Sequence, residues 1–489
     1  MKFTSLKRWM IGSLTCFVMA TQSMPAIHAN GLDWLIDKVQ PNSNVEQTQD
    51  LTQEDIDIIV RVYNIIKYGY IEDIDKKTLL QGALKGMVAA TDDSYSEFLT
   101  EVESQVYDET VEGSFEGVGI QFMPKEGGIT VITAVDGSPA FKAGIQPNDL
   151  IIQADGKDLT GLSTSEVMEL IRGPKGEEVT LTIQRADDTF DVKLVRDEIP
   201  IVTVTGEMDD EVKDIAHVKI TQFNGTTYEE LKDTIESMRK KGAHRFIFDV
   251  RYNPGGLLDQ ALKISNMFLK DGENMMQMQE VNADPFIYKA SDKDYGDFQV
   301  DEPYVVLIND GSASASEIFA AAIKENTDAP IVGITSFGKG TVQTMGDSSY
   351  LGELKLTYAK WLTPKGLWIH ETGIEPTVKS EPEKIESVIL LDAKTPLKKG
   401  DASLQTESLG IMLEALGYLK KPQTYFDDQM EAAVKSYQKE HQLEQTGIVE
   451  GDTTYQLLDD VQTYFKEHDA QYEDAKETLL QYTSKGEAA

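Results

Sequence analysis

Three short segments combine residue types able to do acyl-transfer chemistry. Asn309-Asp310-Gly311-Ser312-Ala313-Ser314-Ala315-Ser316-Glu317 runs from an apolar strand-like stretch into the helical pattern Ile318 to Ile323. A serine at such a helix start can present its hydroxyl beside the positive end of the helix dipole. The same residues also suit plain helix capping, with Glu317 three positions after Ser314. Asp249-Val250-Arg251-Tyr252-Asn253-Pro254-Gly255-Gly256 is a strand end entering a double-glycine turn, whose backbone N–H groups can face a developing oxyanion. Most Pro-Gly-Gly segments are only turns, and taken singly this one carries little.

The third segment, Gly333 to Thr341, nearly matches a phosphate-binding loop. It departs at Gly340, where a Mg²⁺-holding Ser or Thr belongs, and a β-like Thr341-Val342-Gln343-Thr344 follows in place of a helix. An ATP-using enzyme is therefore a weak alternative, and Lys339 needs another role. A lysine serves as general base when burial or neighbours bring its pKa toward neutrality, which makes a Ser–Lys pair the natural reading. Among His217, His244, His370, His441 and His468, none sits in a glycine-rich site loop, and no His pair has metal-ligand spacing. No cofactor is expected.

These segments must be positioned by alternating strands and helices. Ile215 to Ile220, Arg245 to Val250, Tyr304 to Ile308 and Ile331 to Ile334 read as buried strands. Thr226 to Lys240, Leu257 to Leu269 and Ser314 to Asn326 read as the helices between them. Residues 198–380 thus form an α/β domain. Upstream, 113–197 is β-rich: Gly117 to Phe122, Ile129 to Ile132, Asp149 to Ile152 before an Asp155-Gly156 turn, and Glu178 to Gln184 are strands, with Ser165 to Ile171 helical. Helical spacing in Ile56, Ile59, Val60, Tyr63, Ile66 and in Leu79, Leu80, Ala83, Leu84, Met87 predicts two helices within 51–112, an ordinary pair or a dimerisation arm. After a charged joint at 381–396, helical spacing returns in 397–460. The acidic stretch 461–489 reads as a solvated terminal helix or frayed tail.

Composition narrows the class further. The 489 residues carry 46 Lys+Arg against 83 Asp+Glu, a net charge of −37, which excludes nonspecific binding to nucleic acid. One cysteine excludes a disulfide framework. Lys2, Lys7 and Arg8, the apolar run Trp9 to Ala20, and Ala26 and Ala29 follow the order of a signal peptide over 1–29, ahead of a polar lead-in over 30–50. An uncleaved membrane anchor is the alternative. Cleavage leaves 43 basic and 83 acidic residues, a charge of −40, and removes Cys16. The expected location is extracytoplasmic: secreted, wall-associated, or tethered by an uncleaved signal.

The chain as a whole resembles the bacterial carboxy-terminal processing, or tail-specific, proteases. Ser312-Ala313-Ser314-Ala315-Ser316-Glu317-Ile318 and Phe337-Gly338-Lys339-Gly340-Thr341-Val342-Gln343 fit the family's two site motifs. The resemblance implies Ser314 as nucleophile, Lys339 as base and Gln343 as its support, with oxyanion donors on Ala315 and on either Gly255 or Gly256. His370, in His370-Glu371-Thr372-Gly373, reads as structural. Residues 113–197 resemble a PDZ domain whose Gly117, Val118, Gly119 and Ile120 would receive a substrate's C-terminal carboxylate while its chain adds as a strand. Arg172 is either a link between that domain and the catalytic site or an exposed hinge residue. Residues 397–460 resemble a peptidoglycan-binding repeat, a helical interaction module being the alternative.

The expected architecture is multidomain, α/β and β-rich, with a helical N-terminal arm, a PDZ module, an α/β serine protease core and a small helical C-terminal domain. The expected partners are proteins or peptides with free C-termini, peptidoglycan, and a second copy through the N-terminal helices. The rival from another class is a noncatalytic wall-bound scaffold.

Overall fold

A computed structural model describes residues 51–486 except 126, 187 and 347–349. The expected signal peptide and lead-in lie outside the described residues. The chain divides into two compact units, one containing 51–101 and 343–356, the other 102–342 and 357–486 among the described residues.

In the first unit, helix Gln53–Gly69 starts at a Thr52 cap closed reciprocally by Asp55, and helix Lys76–Ala89 starts at Asp75, which accepts the N–H groups of Lys77 and Thr78. Neither helix buries a residue, and Ile56, Ile59, Val60 and Ile65 stand exposed. Strand Glu97–Leu99 pairs antiparallel with residues 353–355.

The second unit is built on a six-stranded sheet ordered Val204–Met208, Ile215–Ile220, Arg245–Asp249, Tyr304–Ile308, Ile331–Gly333, Val378–Lys379. The first pair is antiparallel and the others parallel. Parallel strands need cover on both faces, because their crossovers leave no side open to water. One face packs through Val218, Phe246, Phe248, Val306 and Ile308 against helices Thr227–Lys241, Leu258–Asn266 and Ala315–Asn326.

The opposite face is covered by helix Ala470–Gly486. Its Ala475 and Leu479 pack on Ile215, Ile247, Val305, Leu307 and Val332. This corrects the reading of 461–489 as a solvated tail. Helix Asp452–Glu467 also crosses the expected boundary at 460.

The β-rich region forms an antiparallel sheet ordered Ile120–Lys125, Gly128–Ala134, Leu150–Ala154, Glu178–Arg185, Asp188–Val195, closed by helix Thr164–Ile171 over a core of Val131, Ile151, Val167, Leu181 and Ile183. Ser163 and Glu166 form the helix's capping box. Helices Leu404–Ala415, Asp428–Glu440 and Asp452–Glu467 share a separate core around Leu409, Leu413, Val434, Tyr437 and Leu457.

Candidate active site

Strand Tyr304–Ile308 ends in a loop tied tightly to its neighbour. Ser312 Oγ donates to the Val250 carbonyl at 2.7 Å, and Asn309 Oδ1 accepts the Tyr252 N–H at 2.8 Å. The loop delivers Ser314 to the start of helix Ala315–Asn326 with φ +54° and ψ −112°, a conformation that costs a non-glycine residue about 1–3 kcal/mol. Such strain is retained where surrounding contacts over-determine it. The Ser314 carbonyl takes the Glu317 N–H at 2.9 Å. Ser314 and Glu317 are thus joined reciprocally at the helix start, the capping-box pair that the sequence spacing allowed.

Glu317 is fully buried and accepts four donors. Oε2 takes the N–H groups of Ser314 and Lys339, each at 2.8 Å; Oε1 takes the Ser336 hydroxyl at 2.6 Å and the Gly338 N–H at 2.7 Å. Burial pushes its carboxyl above the usual range, against the opposing pull of these four bonds. The lysine loop is held from its other side as well. Trp361 Nε1 donates to the Lys339 carbonyl at 2.7 Å and Trp368 Nε1 to the Gly340 carbonyl at 2.8 Å, while His370 Nδ1 accepts the Gly340 N–H at 3.4 Å. Strand Thr341–Gly346 follows, so no helix N-terminus is present to cradle a nucleotide phosphate.

The double-glycine turn abuts the serine. A Cβ on Gly255, which has φ +101°, would lie 2.7 Å from the Ala313 carbonyl oxygen and 2.8 Å from both Ala315 N and Ser314 Cβ. The Gly255 N–H is already donated to Asn253 Oδ1 at 2.9 Å. The bridge between Phe223 and Gly256 uses the Gly255 carbonyl and the Leu257 N–H. The N–H groups of Gly256 and Ala315 meet no acceptor among the described residues. Gln343 lies on strand Thr341–Gly346 and belongs to the first unit.

A groove opens between strand Ile120–Lys125 and helix Thr164–Ile171. Val118, Gly119, Ile120, Phe122, Met168 and Arg172 are among its lining residues. Gly117 stands apart, paired with Asp197 in a two-stranded ladder. Gly119 has φ +76°, and a Cβ there would overlap Ser138, so the loop's close approach requires glycine. Arg172 ends the helix, forms an ion pair with Glu109, and lies 4.8 Å over the Phe115 ring.

Glu317 was legible only as a capping partner. Asn253, which organises the glycine turn, carried no signal of its own. Among the described residues no cluster of His, Cys, Asp or Glu could hold a metal ion, and no helix is long and apolar enough to cross a membrane.

A strained serine at a helix start, clamped to a lysine loop and abutted by a double-glycine turn, is an arrangement that suits acyl transfer. Comparison with known proteins agrees. Residues 214–380 match the model for peptidase family S41, 130–185 a PDZ domain, 17–102 the N-terminal domain of the activating protease CtpB, and 405–457 a putative peptidoglycan-binding domain. The carboxy-terminal processing protease CtpA of Bacillus subtilis is 42% identical over 86% of this chain and 90% of its own. A probable CtpA-like serine protease of Staphylococcus aureus (strain N315) is 33% identical over 96% and 92%. Among solved structures, a photosystem II D1 C-terminal processing protease matches with a TM-score of 0.40 at 25% identity, covering 68% of this chain and 94% of that one. The chain is a serine-type peptidase of family S41 and belongs to the carboxy-terminal processing proteases.

Proposed function

We propose that this protease works outside the cytoplasm through a Ser314–Lys339 dyad and is regulated by occupancy of its PDZ domain. The observation that carries the dyad is the shared carboxylate: one Glu317 oxygen holds the backbone of both residues. Lys339, in its neutral form, takes the proton from the Ser314 hydroxyl as Oγ attacks the scissile carbonyl. The N–H groups of Ala315 and Gly256 receive the oxyanion; Gly255, whose N–H is engaged by Asn253, shapes the turn instead. Lys339 returns the proton to the leaving amine, and water releases the acyl group from Ser314. Gln343 orients Lys339.

Val118, Gly119 and Ile120 receive the substrate's C-terminal carboxylate, and Arg172 reports that occupancy to the catalytic core. The signal sequence over 1–29 directs export, and the C-terminal module engages wall glycan. The exposed apolar face of Gln53–Gly69 joins a second copy of the chain.

The test is digestion of an unfolded protein and of peptides with free or amidated C-termini. Ser314→Ala and Lys339→Ala are each expected to abolish cleavage, and amidation to slow it. Undiminished cleavage by either variant would remove the dyad, and equal cleavage of both peptide forms would remove carboxylate recognition.

A further inference from the structure

Helix Ala470–Gly486 does more than cover the sheet. Asp469, immediately before it, reaches the turn that carries the two glycines. Arg251, two residues before Asn253, is 6% exposed. Its guanidinium binds Asp249 at 3.0 and 2.7 Å and Asp469 at 2.8 and 2.6 Å, with Gln471 Oε1 at 3.3 Å. Asp249 also faces His217 Nε2 at 3.1 Å. The tail is pinned around this contact: Gln471 Nε2 donates to the Ser380 carbonyl at 2.8 Å, Ser380 Oγ to Asp474 at 2.6 Å, and Tyr472 OH to Asp209 at 2.7 Å.

From Arg251 onward the turn is joined directly to the serine loop. The Val250 carbonyl accepts Ser312 Oγ, the Asn253 carbonyl accepts the Ala313 N–H at 3.0 Å and Ser316 Oγ at 2.9 Å, and Asn253 Oδ1 holds Gly255. Removing the Asp469 carboxylate leaves guanidinium donors buried without their acceptor, and the planar fork must turn to find another. Any such turn is transmitted to the backbone of the same short turn, five residues before Gly256.

We propose that Asp469 is a positioning residue for the reaction: through Arg251 it fixes the turn 250–256 and hence the placement of the Gly256 N–H that the reading above assigns to the oxyanion. The C-terminal tail is then part of the catalytic unit. This rests on the Ser314 reading given above.

Steady-state peptide cleavage by the full chain tests it. Asp469→Asn, nearly isosteric, is expected to lower kcat about tenfold or more while KM changes less than about twofold. Affinity for a peptide aldehyde, whose tetrahedral adduct carries an oxyanion, falls in parallel. Asp469→Glu recovers most of the rate. Lys476→Met removes the tail's ion pairs with Asp209, Glu211 and Glu473, away from Arg251, and is expected to leave kcat unchanged. Wild-type kcat in Asp469→Asn, or equal losses in Asp469→Asn and Lys476→Met, overturns the inference. Failure of the underlying reading looks different, because then Ser314→Ala itself still cleaves.

Discussion

The N–H groups of Ser314 and Lys339 donate to the same atom, Oε2 of Glu317, each at 2.8 Å. Their backbone nitrogens therefore lie within twice that distance of one another, although 25 positions separate them in the chain. Because all four groups on Glu317 are donors, only its ionised form accepts from every one of them.

Glu317→Gln places an amide N–H₂ against donors. We expect kcat to fall about 100-fold and stability by about 3 kcal/mol, read from cleavage kinetics and urea unfolding.

The same residue sets opposite pH trends for activity and stability. Burial raises its pKa, so the ionised clamp is lost as pH falls at values above the ordinary carboxylate range of about 4.3. Activity should show an acid limb there. Its own stabilising contribution is fully present below the unfolded pKa and lost as pH rises through the folded one. A pH profile of kcat/KM beside one of unfolding free energy checks both directions.

Gly255→Ala drives a Cβ into the Ala313 carbonyl and the Ala315 N–H. Loss of activity of about 100-fold or more is expected, with a lowered Tm. Gly137, at φ +74° with open space around it, is the control: its alanine variant should lose only about 1 kcal/mol and remain active.

At the groove, Arg172 is committed to Glu109 and stacked on Phe115. If Arg172 carries the PDZ signal, Arg172→Ala and Glu109→Ala will each change the ratio of peptide-stimulated to basal activity. An unchanged ratio in both variants assigns the arginine to the hinge.

Acid should loosen the tail. Burial opposes ionisation of Asp249 and Asp469, yet the Arg251 guanidinium and its hydrogen bonds hold both carboxyls below the usual range. Their stabilisation is fully present above the unfolded value of about 3.9 and is lost as pH falls through the folded ones. Amide exchange in helix Ala470–Gly486 should accelerate there. Arg251→Met, which strands two carboxylates, should cost about 3–5 kcal/mol at neutral pH.

The local motifs were readable from the chain. A serine motif before an apolar helix and a lysine between glycines are short-range patterns, and the buried strands announced themselves as unbroken apolar runs such as Phe246 to Phe248 and Tyr304 to Ile308. Tertiary structure decided which N–H of the glycine pair is unengaged, because that depends on where the Asn253 side chain turns. It also decided the role of the tail. Tyr472, Ala475 and Leu479 do recur at helical spacing, but three residues in an acidic segment do not reveal that a parallel sheet has a second face still to be covered. Nor does sequence reveal the partner of Arg251, which is 218 residues away at Asp469: a buried cation takes whichever carboxylate the folded chain brings to it.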